Sequence, residues 1–304
     1  MSAASDIEEI LTNPSQSAAR NPQSQRFHYI SADLMDPEAA ARVIEEVTKW
    51  NYSMPPDIVW CCAGTSHPTL FIDTPIARHK HEMDSNYFSA LYMAHPILKA
   101  WLRTSPSRGH EANTKQTPSP ASSSPRHLIF TSSVLAFYPL LGYSPYAPSK
   151  AALRSLSDTL SQELELYNGA RRKDASLGSE VDVKIHTIFP GTIFSPMYEE
   201  ENKIKPAITK KLEEGDSGQT EDEVAAASVR GLEKGEYLVA TSLISAAMKA
   251  TSLGGSPRNN RLGDTLFSWL VSLIMLFVQW DFDRKIWKWG FTNGVPGTPS
   301  GQNQ

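Results

Sequence analysis

The sequence predicts an α/β fold whose parallel sheet is covered by helices on both faces, and three observations carry that prediction. Short runs rich in β-branched and aromatic residues alternate with longer stretches of helical periodicity. The 304 residues suffice for one α/β domain of roughly 250 residues with appendages. Hydrophobic residues make up 40% of the chain, an ordinary content for a globular core.

Taken in order, residues 1–25 give no strand signal and only one short helix, around residues 6–11. Residues 27–30 (FHYI) read as a strand, and Pro37–Trp50 as an amphipathic helix with Pro37 in its first turn. Residues 57–61 (DIVWC) read as a buried strand, 81–101 as a long helix and 128–131 (LIFT) as a strand. A helix over 148–167 and a strand over 181–189 (VDVKIHTIF) complete the alternation. The stretch 103–126 is rich in Ser, Pro and Thr and reads as a disordered surface insertion, and 171–180 as a smaller polar one. The expected organisation is therefore a poorly ordered segment over 1–25, an α/β domain over 26–255, and a C-terminal segment with a tail over 256–304.

A net charge of −4 gives no sign of nucleic-acid binding. Cys61 and Cys62 are adjacent, a poor geometry for a disulfide, which suits a reducing compartment. The polar, acidic N-terminus has no apolar stretch resembling a signal peptide. His79 and His81 stand two apart, a spacing that suits neither a helix face nor a zinc site, so no metal is expected. Residues 265–280 (TLFSWLVSLIMLFVQW) form the most apolar run, shorter than the roughly 20 residues of a straight membrane span. Trp287 and Trp289 follow among charges, as at a membrane interface. A membrane-contacting helix is the favoured reading, against a helix buried in a core or dimer.

Chemistry concentrates around Ser133, Tyr146 and Lys150. Tyr146 and Lys150 are four apart at the start of a helix and share a face. Ser133 follows a strand and precedes Tyr146 by thirteen residues. Carbonyl reduction needs a proton donor at the oxygen while hydride reaches the carbon. A nearby ammonium stabilises a phenolate, so Lys150 is expected to lower the Tyr146 pKa. A serine hydroxyl can hold the carbonyl oxygen beside that donor.

The segment SSVLAFYPLLGYSPYAPSK resembles the active-site segment of the short-chain dehydrogenase/reductase family. That resemblance implies a Rossmann-like doubly wound parallel sheet, with Ser133, Tyr146 and Lys150 as catalytic residues. It also implies a catalytic role for Asn86, the helix asparagine that supports a proton-relay water. Cys62, Ala63 and Gly64 follow a strand where the family has Asn-Asn-Ala-Gly, and the cysteines remove side-chain hydrogen bonds that brace the sheet. By the same resemblance Ala63 and Gly64 border the cofactor, and Asp33 contacts its adenine. Pro190 and Gly191 form a turn against it, Ser195 meets the nicotinamide carboxamide, and Tyr146 and Lys150 touch it as well.

Further along, FPGTIFSPMYEEENKIKPAITKKLEEGDSGQTEDEVAA and the later SPRNN are similar to fungal 3-ketodihydrosphingosine (3-dehydrosphinganine) reductases. These are NADPH-dependent enzymes of the endoplasmic reticulum membrane with active sites facing the cytosol. The resemblance implies a long-chain ketone lipid as substrate and the membrane as partner, and leaves a homo-oligomer open. Two alternatives stay beside it: a reductase of another lipid or steroid ketone, and a non-catalytic relative that lost its cofactor half.

The family opens with a strand, a TGxxxGxG turn and a helix, whose backbone N–H groups hold the pyrophosphate. This sequence contains no such turn. The expectation is a sheet lacking its first βαβ segment in an N-terminally truncated sequence, because the downstream catalytic residues are all present. The strand over 57–61 is then expected to show an unpaired inner edge. The chain alone is expected to be poorly soluble and to bind no NADPH.

Overall fold

An apolar run becomes a strand only where a neighbour completes its hydrogen-bond ladder, and that condition decides which expected strands form. The structure is a computed structural model that describes residues 25–102, 124–173, 181–254 and 256–293. The chain divides into two compact units, Met1–Asp33 and Leu34–Gln304. In the first, residues 25–33 adopt no regular element, so the strand expected over 27–30 does not form. The sheet lies wholly in the second unit, and residues 27–30 are in no ladder. The helix expected over 6–11 lies outside the described residues.

The second unit opens with α1, Pro37–Trp50. Asp36 caps it, its carboxylate accepting from the Glu38 N–H at 3.0 Å, and Pro37 supplies a helical φ where no N–H is needed. The main sheet is parallel and runs β1 (Ile58–Cys61), β2 (Arg126–Thr131), β3 (Val183–Phe189) and then β6 (Leu238–Ala240). Its register pairs Val59 with Leu128, Leu128 with Ile185 and Ile188 with Val239. Between β3 and β6 come a short pair, β4 (Ile193–Phe194) and β5 (Gln219–Thr220). Neither short strand nor β6 is visible in the sequence pattern, because two or three residues are too few to show a period.

Side-chain alternation sorts the core onto the two faces of the sheet. Val59, Leu128, Phe130, Val183 and Ile185 join one cluster with Ile97, Trp101 and Leu153. Ile129, Ile188 and Val239 form another with Leu232. Helices therefore cover both faces, as expected of a doubly wound sheet. The strand order among described residues runs in one direction and never reverses. Described β1 pairs with β2 alone, and Ile58 and Trp60 on its far face are 60% and 37% exposed.

The helix expected over 81–101 begins earlier and is interrupted. It comprises α2 (Ile76–Met83), a π-helical turn (Asp84–Phe88) and α3 (Ser89–Leu102). Helix α4 spans Tyr146–Lys173, starting at the candidate tyrosine and running past the expected end at 167. Arg126, placed in the expected insertion, instead starts β2, and residues 171–173 end up inside α4; residues 103–123 and 174–180 of the two insertions lie outside the described residues. After β4 come α5 (Pro196–Ile204) and α6 (Ala207–Glu213), then α7 (Glu221–Glu233) behind β5 and α8 (Leu243–Thr251) behind β6.

The C-terminal apolar run lies in a longer helix, α9, Arg261–Asn293. Its part Arg261–Ile286 is long and apolar enough to cross a membrane by length and composition, and 6% of its most apolar window is buried. Leu266, Trp269, Leu270, Leu273, Leu276 and Phe277 are all exposed on it. Apolar exposure of that extent is unusual on the surface of a monomer in water.

Candidate active site

Ligands of open α/β sheets bind beyond the carboxyl ends of the strands, and three strand ends meet here. β2 ends at Thr131, and the Val134 N–H then donates to the Pro190 carbonyl at 3.0 Å, tying the loop after β2 to the loop after β3. Ser133 caps a short 3-10 turn, Val134–Ala136, its Oγ accepting from the Leu135 N–H at 3.2 Å. Ser132 Oγ donates to the Lys150 carbonyl at 3.0 Å, fixing the first turn of α4 against the end of β2.

That frame brings Ser133, Tyr146 and Lys150 together. The Ser133 hydroxyl lies near enough to the Tyr146 oxygen to favour its ionised form. Lys150 is buried, its Nζ donating to the Thr131 carbonyl at 3.0 Å and lying 5.5 Å from the centre of the Tyr146 ring. Asn86 joins them through the π-helical turn, whose extra residue turns it fully inward. Its Nδ2 donates to the Thr65 carbonyl and to Glu82 Oε2, each at 3.0 Å, and its Oδ1 accepts from the Thr65 N–H at 2.9 Å. At Gly64 a Cβ would stand 2.4 Å from Asn86 Oδ1 and 3.3 Å from Lys150 Nζ, so only glycine fits.

The electrostatics correct one expectation. Burial pushes the Tyr146 phenol well above its ordinary range; the Ser133 hydroxyl opposes this, and the charges of Glu201 and Glu82 add to it. The Lys150 ammonium stands over the ring and turns to the Thr131 carbonyl, so burial wins over the lowering expected from it. Tyr146 is thereby kept as a protonated phenol, the form that can donate. Lys150 itself is brought down to about 8 by burial, against the pull of Glu82 and Cys62. Burial also raises Glu82.

The other candidates are placed as follows. Ala63 is exposed just beyond β1, and Gly191 has open space out to Ser245 Oγ, 3.7 Å from where a Cβ would lie. Ser195 caps α5, its Oγ accepting from the Tyr198 N–H at 3.3 Å. Asp33 is exposed, lies in no regular element and belongs to the first compact unit.

Sequence reasoning missed Thr131, Glu82 and Thr65. Thr131 acts through its backbone carbonyl, which leaves no side-chain signal. Glu82 stands four residues before Asn86, a spacing that puts two side chains on one helix face and would have revealed it.

Residues 3–205 match the family described as short chain dehydrogenase. The chain belongs to the short-chain dehydrogenases. This short-chain dehydrogenase is 50% identical over 283 residues to the 3-ketodihydrosphingosine reductase of Aspergillus fumigatus, which covers 93% of this chain and 74% of that one. To the 3-ketodihydrosphingosine reductase of Neurospora crassa it is 41% identical over 293 residues, covering 96% of this chain and 75% of that one. Its fold is similar to a solved short chain dehydrogenase/reductase from Burkholderia phymatum in complex with NAD, with a TM-score of 0.58 at 11% identity, over 82% of this chain and 80% of that one.

A nicotinamide cofactor goes with the family, and the residues present fit one end of it. The buried Lys150, the Tyr146 and Ser133 hydroxyls and the side-chain-free Gly64 converge at the strand ends, a donor set that fits a polyhydroxyl group such as a ribose. For the pyrophosphate end, the 304 residues contain no TGxxxGxG turn.

Proposed function

We propose that this short-chain dehydrogenase reduces the ketone of 3-ketodihydrosphingosine to the secondary alcohol, with NADPH as reductant. The observation that supports the substrate is the 50% identity to a reductase of that name across 93% of the chain. The reading also draws on the convergence of Ser133, Tyr146 and Lys150.

In this reading Tyr146 is the general acid and delivers its proton to the ketone oxygen. Ser133 Oγ–H holds the same oxygen, so the developing alkoxide meets two preset donors. Lys150 holds the nicotinamide ribose through its ammonium and re-protonates Tyr146 through the network that includes Asn86. Gly64, Ala63, Pro190, Gly191 and Ser195 border the cofactor. The cofactor, when bound, supplies the hydride to the carbonyl carbon.

The exposed apolar part of α9 supports a further element of the proposal: the protein is held at the endoplasmic reticulum membrane with its catalytic domain toward the cytosol. A long-chain ketone partitions into a bilayer, so a reductase anchored there meets its substrate in place.

The missing glycine turn favours a second reading, a relative that binds no cofactor. Two measurements separate the readings. The protein should reduce 3-ketodihydrosphingosine with NADPH and prefer it to steroid ketones. Turnover of steroid ketones alone would overturn the substrate assignment. No NADPH binding in a calorimetric titration, together with no turnover, would establish the second reading.

A further inference from the structure

Helix α5 carries Glu201, which lies four residues before Lys205 just past the helix end, so the two side chains meet. The Lys205 side chain is 1% exposed, with its Nζ 2.7 Å from Glu213 Oε2 and 3.9 Å from Glu201 Oε2. The other Glu213 oxygen accepts from the Tyr143 hydroxyl at 2.8 Å. Glu213 thus has both oxygens engaged at short distance, whereas Glu201 has only the longer contact to Lys205. Ser66 lies near enough to favour the Glu201 carboxylate, yet its buried Oγ closes no hydrogen bond. Two carboxylates therefore face one ammonium in a buried setting, leaving one negative charge unmatched.

The surplus charge borders the catalytic group. The Tyr143 and Tyr146 rings lie 6.0 Å apart, and the Glu201 charge reaches the Tyr146 phenol. Deeper in the site Glu82 faces Lys150, one charge of each sign. An unmatched carboxylate beside a proton donor suits a substrate that brings a cation next to its carbonyl. Resting on the reading above, the substrate is a 2-amino-1-hydroxy-3-ketone, whose ammonium sits on the carbon adjacent to the ketone.

We propose that Glu201 receives the substrate ammonium and so sets the ketone at Tyr146, making it a specificity-determining residue. The ammonium completes the charge balance that Lys205 leaves open. It also cancels the Glu201 charge that resists ionisation of Tyr146, so proton donation becomes easier once the correct substrate is bound. Burial raises the Glu201 carboxyl against the pull of Lys205, and a bound ammonium adds to that pull.

The test compares kcat/KM for the amino ketone with that for its des-amino analogue, a long-chain 1-hydroxy-3-ketone. In the wild type the ratio favours the amino ketone. Glu201→Gln should lower this ratio by roughly ten- to hundredfold, the worth of one charge-assisted hydrogen bond. Glu201→Asp, which keeps the charge, should retain most of the preference. An unchanged ratio in Glu201→Gln, with both substrates falling together or neither falling, would overturn the proposal, since a residue that only braces Lys205 does not distinguish the two ketones. If the wild type reduces neither ketone, the proposed function fails, and binding decides the site separately. Sphinganine and its des-amino diol, presented in non-ionic detergent micelles, should then be distinguished by the wild type and not by Glu201→Gln; equal discrimination by both proteins would overturn the assignment.

Discussion

Gly64 and Asn86 are built against each other: a Cβ at position 64 would stand 2.4 Å from Asn86 Oδ1, the atom that accepts from the Thr65 N–H. Alanine at 64 must therefore displace an amide that is held by three hydrogen bonds. Gly64→Ala is expected to cost about 1–3 kcal/mol, the range for overpacking a close-packed interior. Turnover should fall by more than the loss of folded protein explains, because Lys150 Nζ is also within 3.3 Å of the added carbon. Urea titration followed by an activity assay at equal folded fraction separates the two effects. A variant as stable as the wild type would show that the contact relaxes freely.

The Lys150 pKa predicts an alkaline limb. Burial brings it to about 8 in the folded chain, below the ordinary value of about 10.4. Between these values the unfolded chain binds the proton and the folded chain does not, so this group's contribution to stability rises with pH across that window and its penalty is complete below it. Activity runs the other way: the ammonium proposed to hold the ribose is lost as pH rises through about 8. The profile of kcat/KM for ketone reduction should therefore decline above that pH. In whatever activity Lys150→Arg retains, the decline should vanish, because a guanidinium stays charged throughout. A limb unchanged in Lys150→Arg would assign it to another group.

Helix α9 predicts membrane retention. Its exposed apolar residues, among them Trp269, Leu273 and Phe277, have no cover among the described residues. The protein should sediment with membranes and resist carbonate extraction, and deleting residues 262–304 should release a substantial fraction. Unaltered sedimentation after the deletion would assign the helix to a core or dimer contact.

How far the sequence could be read depends on the range of the interactions involved. That Ser133, Tyr146 and Lys150 come together was legible because Tyr146 and Lys150 are linked by helical spacing and Ser133 by the end of a strand. Helix α1 was legible to the residue, since Asp36 and Pro37 mark its start locally. The strand expected over 27–30 was not, because strand formation is settled by a partner elsewhere in the chain. The π-helical turn that buries Asn86 was hidden too, since one extra residue in a helical turn leaves the apolar pattern nearly intact. The Glu201, Lys205 and Glu213 cluster left no sequence signal, because it joins two helices and forms only where they pack beside Tyr143.

The central claim is that Tyr146 donates the proton in reduction of 3-ketodihydrosphingosine, and Tyr146→Phe tests it most directly. The substitution removes one hydroxyl and leaves the ring that packs 6.0 Å from Tyr143. Turnover with NADPH should fall roughly hundred- to ten-thousandfold, the span of general acid catalysis, while cofactor affinity stays within a few-fold. Turnover by Tyr146→Phe equal to that of the wild type would contradict the account.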